Sequence, residues 1–292
     1  MKVAITGAAG LFGRALVTVF SSRHAVFPLT RSDADITDAE AVRVAFENIR
    51  PEVVVHPAGI PDLDIADSDP ARAHRVNVEG TAHVVESARQ VRAEVVYIST
   101  DAVFDGKNTK PYVESDPPSP ITVYGRTKRD GEVIVQTQPE YWTFRVPVLF
   151  GPGKTNFVEK GLRKLLAGEQ YVVAGDQEGC ATYTLDAARK IMEVVEARRY
   201  GLYHLANQGA CTRYELARRA AELAGLDPGK VVGVPADQMG RRAPRLKYAV
   251  MEMAALKAAG FSLPRPWQEA LADYIRTLAL QHCVSPTATE FV

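Results

Sequence analysis

The chain has 292 residues, 46% apolar and 24% charged, which is enough to bury a large core. Lysine plus arginine and aspartate plus glutamate balance at 35 each, so the formal net charge of zero argues against nucleic acid or an anionic membrane as a bulk partner. Cys180, Cys211 and Cys283 are too scattered for a disulfide framework or a C-x-x-C site; with no signal-like opening and no apolar run of membrane length, the cytosol is the expected location.

In chain order, "KVAIT" predicts a buried strand and "LFGRALVTVF" a helix behind it. "AVFPL" and "DAEAVRVAFENI" repeat that pair. "EVVVH" and "EVVYIST" are two more apolar, β-branched strands, with the helical "ARAHRVNVEGTAHVVESARQ" between them. This alternation indicates βαβ units and a doubly wound parallel sheet. After "YWTFRVPVLFGPG" the alternation loosens, and helical stretches such as "FVEKGLRKLL" and "YELARRAAELAG" dominate. The expected class is α/β, with a dinucleotide-binding domain over 1–150. Segments near 183–206 are expected to return to it, and 151–182 and 207–292 to form a smaller, mostly helical substrate lobe. The polar "SPTATE" at 285–290 is expected as a frayed tail, and Trp142 and Trp267 as packing residues.

The glycines of "TGAAGLFG", Gly7, Gly10 and Gly13, fall between the first strand and the first helix. A dinucleotide loop needs them there: they let a pyrophosphate approach the backbone and the N–H groups of the helix start. Leu11 and Phe12 belong to the same loop. The end of the second strand reports the cofactor, because an acid there binds a ribose 2′-hydroxyl and a base a 2′-phosphate. Here it reads "PLTRSD". Thr30 and Arg31 precede any acid, which favours NADP(H); Asp33 keeps NAD(H) open.

"YGRTK" puts Tyr124 and Lys128 four residues apart, on one face of a helix. Upstream, Ser99 and Thr100 end a central strand, at the sheet edge where doubly wound proteins bind ligands. A ketone reduced by hydride needs a proton, which a phenol can give. A neighbouring ammonium should lower that phenol's pKa and reach the nicotinamide ribose, while the Thr100 hydroxyl holds the carbonyl oxygen.

These motifs resemble the extended short-chain dehydrogenase/reductases, and within them the dTDP-4-dehydrorhamnose reductase family. The resemblance is carried by "TGAAGLFG", "DADITD", "STDAVFDGKNTKPYVESDPPSPITVYGRTKRDGE", "FRVPVLFGPGKTNFV" and "GLYHLANQGACTRYELA". It implies Thr100, Tyr124 and Lys128 as the catalytic set. It further implies Asp35 and Ile36 as adenine contacts, Ala58, Gly59 and Ser99 beside the cofactor, Asn77 behind the active site, and Arg145 as the residue that opens the strand-and-loop segment above the nicotinamide. It places Ala102, Val103, Phe104, Val148 and Asn156 on the substrate side. Departures fall there: "TDAVFDG" has Ala102 where the family has tyrosine, and "RVPVLFG" has Val148 where it has tryptophan. Arg241 and Arg242 could meet a nucleotide diphosphate or form a solvated basic turn. The six histidines make no zinc pair, so no metal is expected, and His56 reads as a satisfied strand-end histidine.

The implied activity is NADP(H)-dependent reduction of a nucleotide-linked 4-keto-6-deoxysugar, by a chain compatible with a homodimer. A nucleotide-sugar epimerase or dehydratase on the same scaffold is one alternative. The other is a non-catalytic NADP-binding subunit similar to the regulatory subunit of methionine adenosyltransferase.

Overall fold

The computed structural model of the protein describes residues 1–284; the polar end at 285–290 lies outside the described residues. The chain opens with β1 (Lys2–Thr6), α1 (Leu11–Phe20), β2 (Ala25–Leu29), α2 (Ala39–Ile49) and β3 (Val53–His56). Two short helices follow, α3 (Leu63–Ser68) and α4 (Pro70–His74). A π turn over Arg75–Glu79 then leads into α5 (Gly80–Gln90). Next come β4 (Glu94–Ser99), α6 (Val123–Val135) and β5 (Tyr141–Arg145). The remainder is made of shorter pieces: β6 (Leu149–Phe150), α7 (Phe157–Leu166), β7 (Tyr171–Ala174), β8 (Glu178–Gly179), β9 (Thr182–Tyr183), α8 (Thr184–Glu196) and β10 (Gly201–His204). Last are β11 (Cys211–Thr212), α9 (Arg213–Leu223), β12 (Val231–Val234), β13 (Tyr248–Ala249), α10 (Ala254–Ala258) and α11 (Trp267–Val284).

Six strands form one sheet in the order β10-β5-β4-β3-β1-β2, and every pair is parallel. β3 and β4 are buried along their whole length, as strands covered on both faces must be. Pro28, which has no N–H for a ladder, sits in β2 on the sheet edge. Leu16 and Phe20 of α1 meet Ile191 and Val195 of α8 on one face of the sheet. Phe46 of α2, Val84 of α5 and Val135 of α6 cover the other. Connections from β1 and β3 run to opposite sides, and that switch point opens a crevice at the carboxyl ends of the strands.

Beyond β5 the chain alternates between two places. α8 packs beside α1, and β10 closes the sheet against β5. Met253 and Leu256 return to the same core, although they lie in the 207–292 stretch expected to form the substrate lobe. A separate core joins Phe150, Leu162, Tyr183, Leu216, Trp267 and Tyr274, and the short sheets β11-β8-β13 and β12-β7 sit beside it. Trp142 and Trp267 are both buried packing residues.

Candidate active site

One cavity of about 1040 Å³ runs along the carboxyl ends of the strands and under the second core. Its floor begins at the glycine loop. A Cβ on Gly13 would lie 2.2 Å from the carbonyl oxygen of Gly7, so only glycine lets α1 start this close to β1. The N-terminus of α1 has no side-chain cap, whereas Asp38, Thr122 and Thr212 cap α2, α6 and α9. Its N–H groups and positive dipole end therefore face the cavity, which Gly7, Gly10, Leu11, Phe12 and Gly13 line, and they suit a diphosphate.

At the end of β2, Thr30 and Arg31 line the cavity with Asp35 and Ile36. Asp33 does not face it: its carboxylate accepts from the N–H and hydroxyl of Thr30, at 2.8 and 2.6 Å. Arg31 donates from Nε to Asp35 at 2.8 Å and is otherwise exposed. Hydrogen bonds from Thr37, with help from Arg31, hold Asp35 below the usual carboxylate range. Ala58 and Gly59 form the next stretch of wall. Asn77 does not touch the cavity. From the π turn it accepts from the N–H of Ile60 at 2.7 Å and donates to its carbonyl at 3.2 Å, and it also donates to Thr127 at 3.0 Å. It therefore acts through the 57–60 loop, pinning it to α6 rather than meeting a ligand itself.

Thr100, Tyr124 and Lys128 come together as their spacing implies, and Ser99 lines the wall beside them. Thr100 donates to the Asp101 carboxylate at 2.9 Å and accepts from the N–H of Ala102 at 3.2 Å, and the Tyr124 phenol lines the same stretch of cavity beside it. Gly125 permits this: a Cβ there would meet the Ala102 carbonyl at 2.0 Å, so α6 starts against the loop after β4. One expectation is corrected. Burial raises the Tyr124 phenol, and Asp101, rather than Lys128, is the charge acting on it. The Lys128 ammonium instead sits over the Tyr97 ring, 4.0 Å from its centroid. Burial brings the Lys128 pKa down to about 7, against an upward pull from Glu132. His56 is a satisfied strand-end histidine: Nδ1 pairs with Thr6 at 2.7 Å and Nε2 with Thr81 at 3.1 Å.

The substrate side needs more correction. Ala102 and Val148 line the cavity. Val103 and Phe104 do not; both pack in a small core with Tyr112 and Met251, because the turn after Thr100 points them inward. Asn156 caps α7 and donates to the Gly151 carbonyl and Tyr274, so its polar atoms serve the fold. Arg242 turns away to Asp67 at 3.2 Å and stays exposed. Arg145, expected to open the segment above the nicotinamide, ends β5 and is buried in an ion pair with Glu132. Besides Arg31, the arginines that reach the cavity are Arg72, Arg75, Arg213 and Arg245. The sequence reading did not single out Arg213. The signal was the capping box of Thr212 and Glu215, which places residue 213 in the first turn of α9, aimed at the cavity. Burial lowers the Arg213 pKa while the Asp101 charge opposes that shift, so a cation from the second core faces the carboxyl group beside Thr100.

Residues 1–280 match the RmlD substrate binding domain family. The chain belongs to that family. A dTDP-4-dehydrorhamnose reductase of Streptomyces griseus is 38% identical over 277 residues, covering 92% of this chain and 91% of that one. A dTDP-4-keto-6-deoxy-D-glucose reductase of Streptomyces niveus is 36% identical, covering 92% and 94%. The crystal structure of dTDP-4-dehydrorhamnose reductase from Bacillus anthracis in complex with NADP superposes with a TM-score of 0.92 at 31% identity, covering 94% of this chain and 99% of that one. Among the described residues no group of three or more His, Cys, Asp or Glu is placed to hold a metal ion. No described helix is long and apolar enough to cross a membrane.

Proposed function

We propose a specific reaction for this oxidoreductase of the dTDP-4-dehydrorhamnose reductase type: NADP(H)-dependent reduction of the C4 carbonyl of a nucleotide-linked 4-keto-6-deoxysugar. The observation that carries it is the convergence of Thr100, Tyr124 and, one turn on, Lys128 in the same cavity as the uncapped start of α1. When bound, NADPH supplies the hydride. Thr100 holds the carbonyl oxygen, and the Tyr124 phenol gives that oxygen its proton. A pKa raised by burial keeps the phenol protonated until the alkoxide, a far stronger base, develops beside it. Lys128, one turn further along α6, orients the ribose hydroxyls. Arg31 serves the 2′-phosphate, since Asp33 is committed to Thr30. The segments 151–182 and 207–249 supply the nucleotide wall, with Arg213 and Arg245 for the diphosphate.

The test is NADPH oxidation by the purified protein with a panel of nucleotide-linked 4-keto sugars. Small side chains at Ala102 and Val148 widen the sugar end, so another keto sugar should be turned over better than dTDP-4-dehydrorhamnose. Tight NADPH binding with no turnover on any member of the panel would favour a regulatory subunit instead.

A further inference from the structure

Glu132 takes no part in that reaction, yet it is 0% exposed. It lies on α6 one turn beyond Lys128 and two beyond Tyr124, so all three share a helix face. Its Oε1 accepts from the Ser99 hydroxyl at 2.6 Å and from Arg145 Nε at 2.9 Å; its Oε2 accepts from Arg145 Nη2 at 2.9 Å. Ser99 ends β4 immediately before Thr100, Arg145 ends β5, and the sheet register sets the two side by side. One carboxylate thus ties both strand ends to the helix that carries Tyr124 and Lys128.

A buried ion pair is weak evidence of stability, because an apolar pair of similar volume does as well or better. Its position points to another use. We propose that Glu132 is a positioning residue for the reduction: its carboxylate clamps the ends of β4 and β5 to α6 and is the counter-charge one turn from the Lys128 ammonium. The proposal rests on the reading of Lys128 given above. The groups facing Lys128 are few. Its own helix offers Tyr124, a neutral phenol, and Glu132. β4 offers the neutral ring of Tyr97. β3 offers His56, which burial and the Lys128 charge hold neutral, with a pKa of about 3. Glu132 alone opposes the downward pull of burial on Lys128. Without its charge, Lys128 should lose its proton at a lower pH, and with it the ammonium that grips the ribose.

Two variants test this. Glu132→Gln leaves Arg145 buried without a counter-charge, so Glu132→Gln/Arg145→Met is made as well; it removes both charges and isolates fold from electrostatics. The ε-methylene resonance of Lys128, assigned by its loss in Lys128→Met, is followed by NMR across pH. It should titrate near 7 in the parent and about one unit or more lower in the variants. NADPH oxidation should then fall about tenfold near pH 8 and recover to within about threefold near pH 6, a rescue that loss of packing would not give. An unchanged Lys128 midpoint in the folded double variant, or an equal loss at every pH, overturns the proposal. The resonance titrates whether or not a sugar is reduced, so an inactive parent protein would sink the proposed function alone.

Discussion

The two walls of the cavity are built differently. The wall from the sheet rests on the wholly buried strands β3 and β4, and Asn77, Ser99 and Thr100 each have a side-chain partner within the same layer. The opposite wall is assembled from strands of two residues, β8, β11 and β13, and presents Cys180, Cys211, Arg213 and Arg245 to the cavity. The first wall can fix atoms to fractions of an ångström, as proton transfer requires. The second holds charges and small side chains on short pieces, which suits a surface that selects a ligand. Breaking the first should therefore lower kcat, and breaking the second should raise KM.

The largest effect is expected from Tyr124→Phe. The ring still packs, but the proton at the carbonyl is gone, so turnover should fall about 10²–10⁴-fold. NADPH affinity, measured by fluorescence titration, should change little. Near-parental turnover would mean that another group gives the proton.

Arg213→Met should be the next largest and should fall on the other parameter. The guanidinium reaches the cavity from α9, and a charged hydrogen bond is worth about 1.5–3 kcal/mol. The kcat/KM for the nucleotide sugar should fall about 10–100-fold, mostly through KM. A fall confined to kcat would place Arg213 with the chemistry and erase the contrast between the walls.

Acid should find the first wall. Burial lowers the pKa of both His56 and His204 to about 3, against 6.5 for a free histidine. The unfolded chain therefore binds more protons than the folded one between those values, and each histidine withdraws about 1.4 kcal/mol of stability per pH unit as pH falls through that window. Thermal melting between pH 7 and 4 should show the loss. A flat profile would mean that these histidines are solvated.

How much could be read from the sequence follows the same division. The glycine loop, the four apolar strands and the Tyr124–Lys128 spacing are local patterns, and each appears where its pattern placed it. What was misjudged depends on tertiary contact. Val103 and Phe104 sit one turn past Thr100, and nothing local says that they point into a core. Asn156 reads as a polar residue near the site, yet its bonds cap a helix and hold Tyr274. Tyr124 and Lys128 share a helix face, but helical spacing cannot say that the Tyr97 ring takes the ammonium. Arg245 and Arg242 stand in one basic run, and only folding against α3 sorts them.

That last contact carries the smallest prediction. Arg245 Nη2 donates to Asp64 at 2.8 Å, the N–H of Ala243 donates to the same carboxylate at 2.9 Å, and Arg242 reaches Asp67 at 3.2 Å. These contacts tie the second wall to α3 across the mouth of the cavity, where Leu63 and Leu246 both line it. Arg242 and Asp67 are exposed or half-exposed, so that pair is screened by salt and contributes about 0–1 kcal/mol. Arg245 is mostly buried, so Asp64→Asn should matter more than Asp67→Asn. Asp64→Asn should raise the nucleotide-sugar KM about two- to fivefold, equivalent to about 0.4–1 kcal/mol, and leave kcat unchanged. Asp67→Asn should stay within about twofold, with its small effect gone at high salt. Equal effects of the two substitutions would mean that the strap is held by its backbone alone, and that the second wall is more rigid than its short strands suggest.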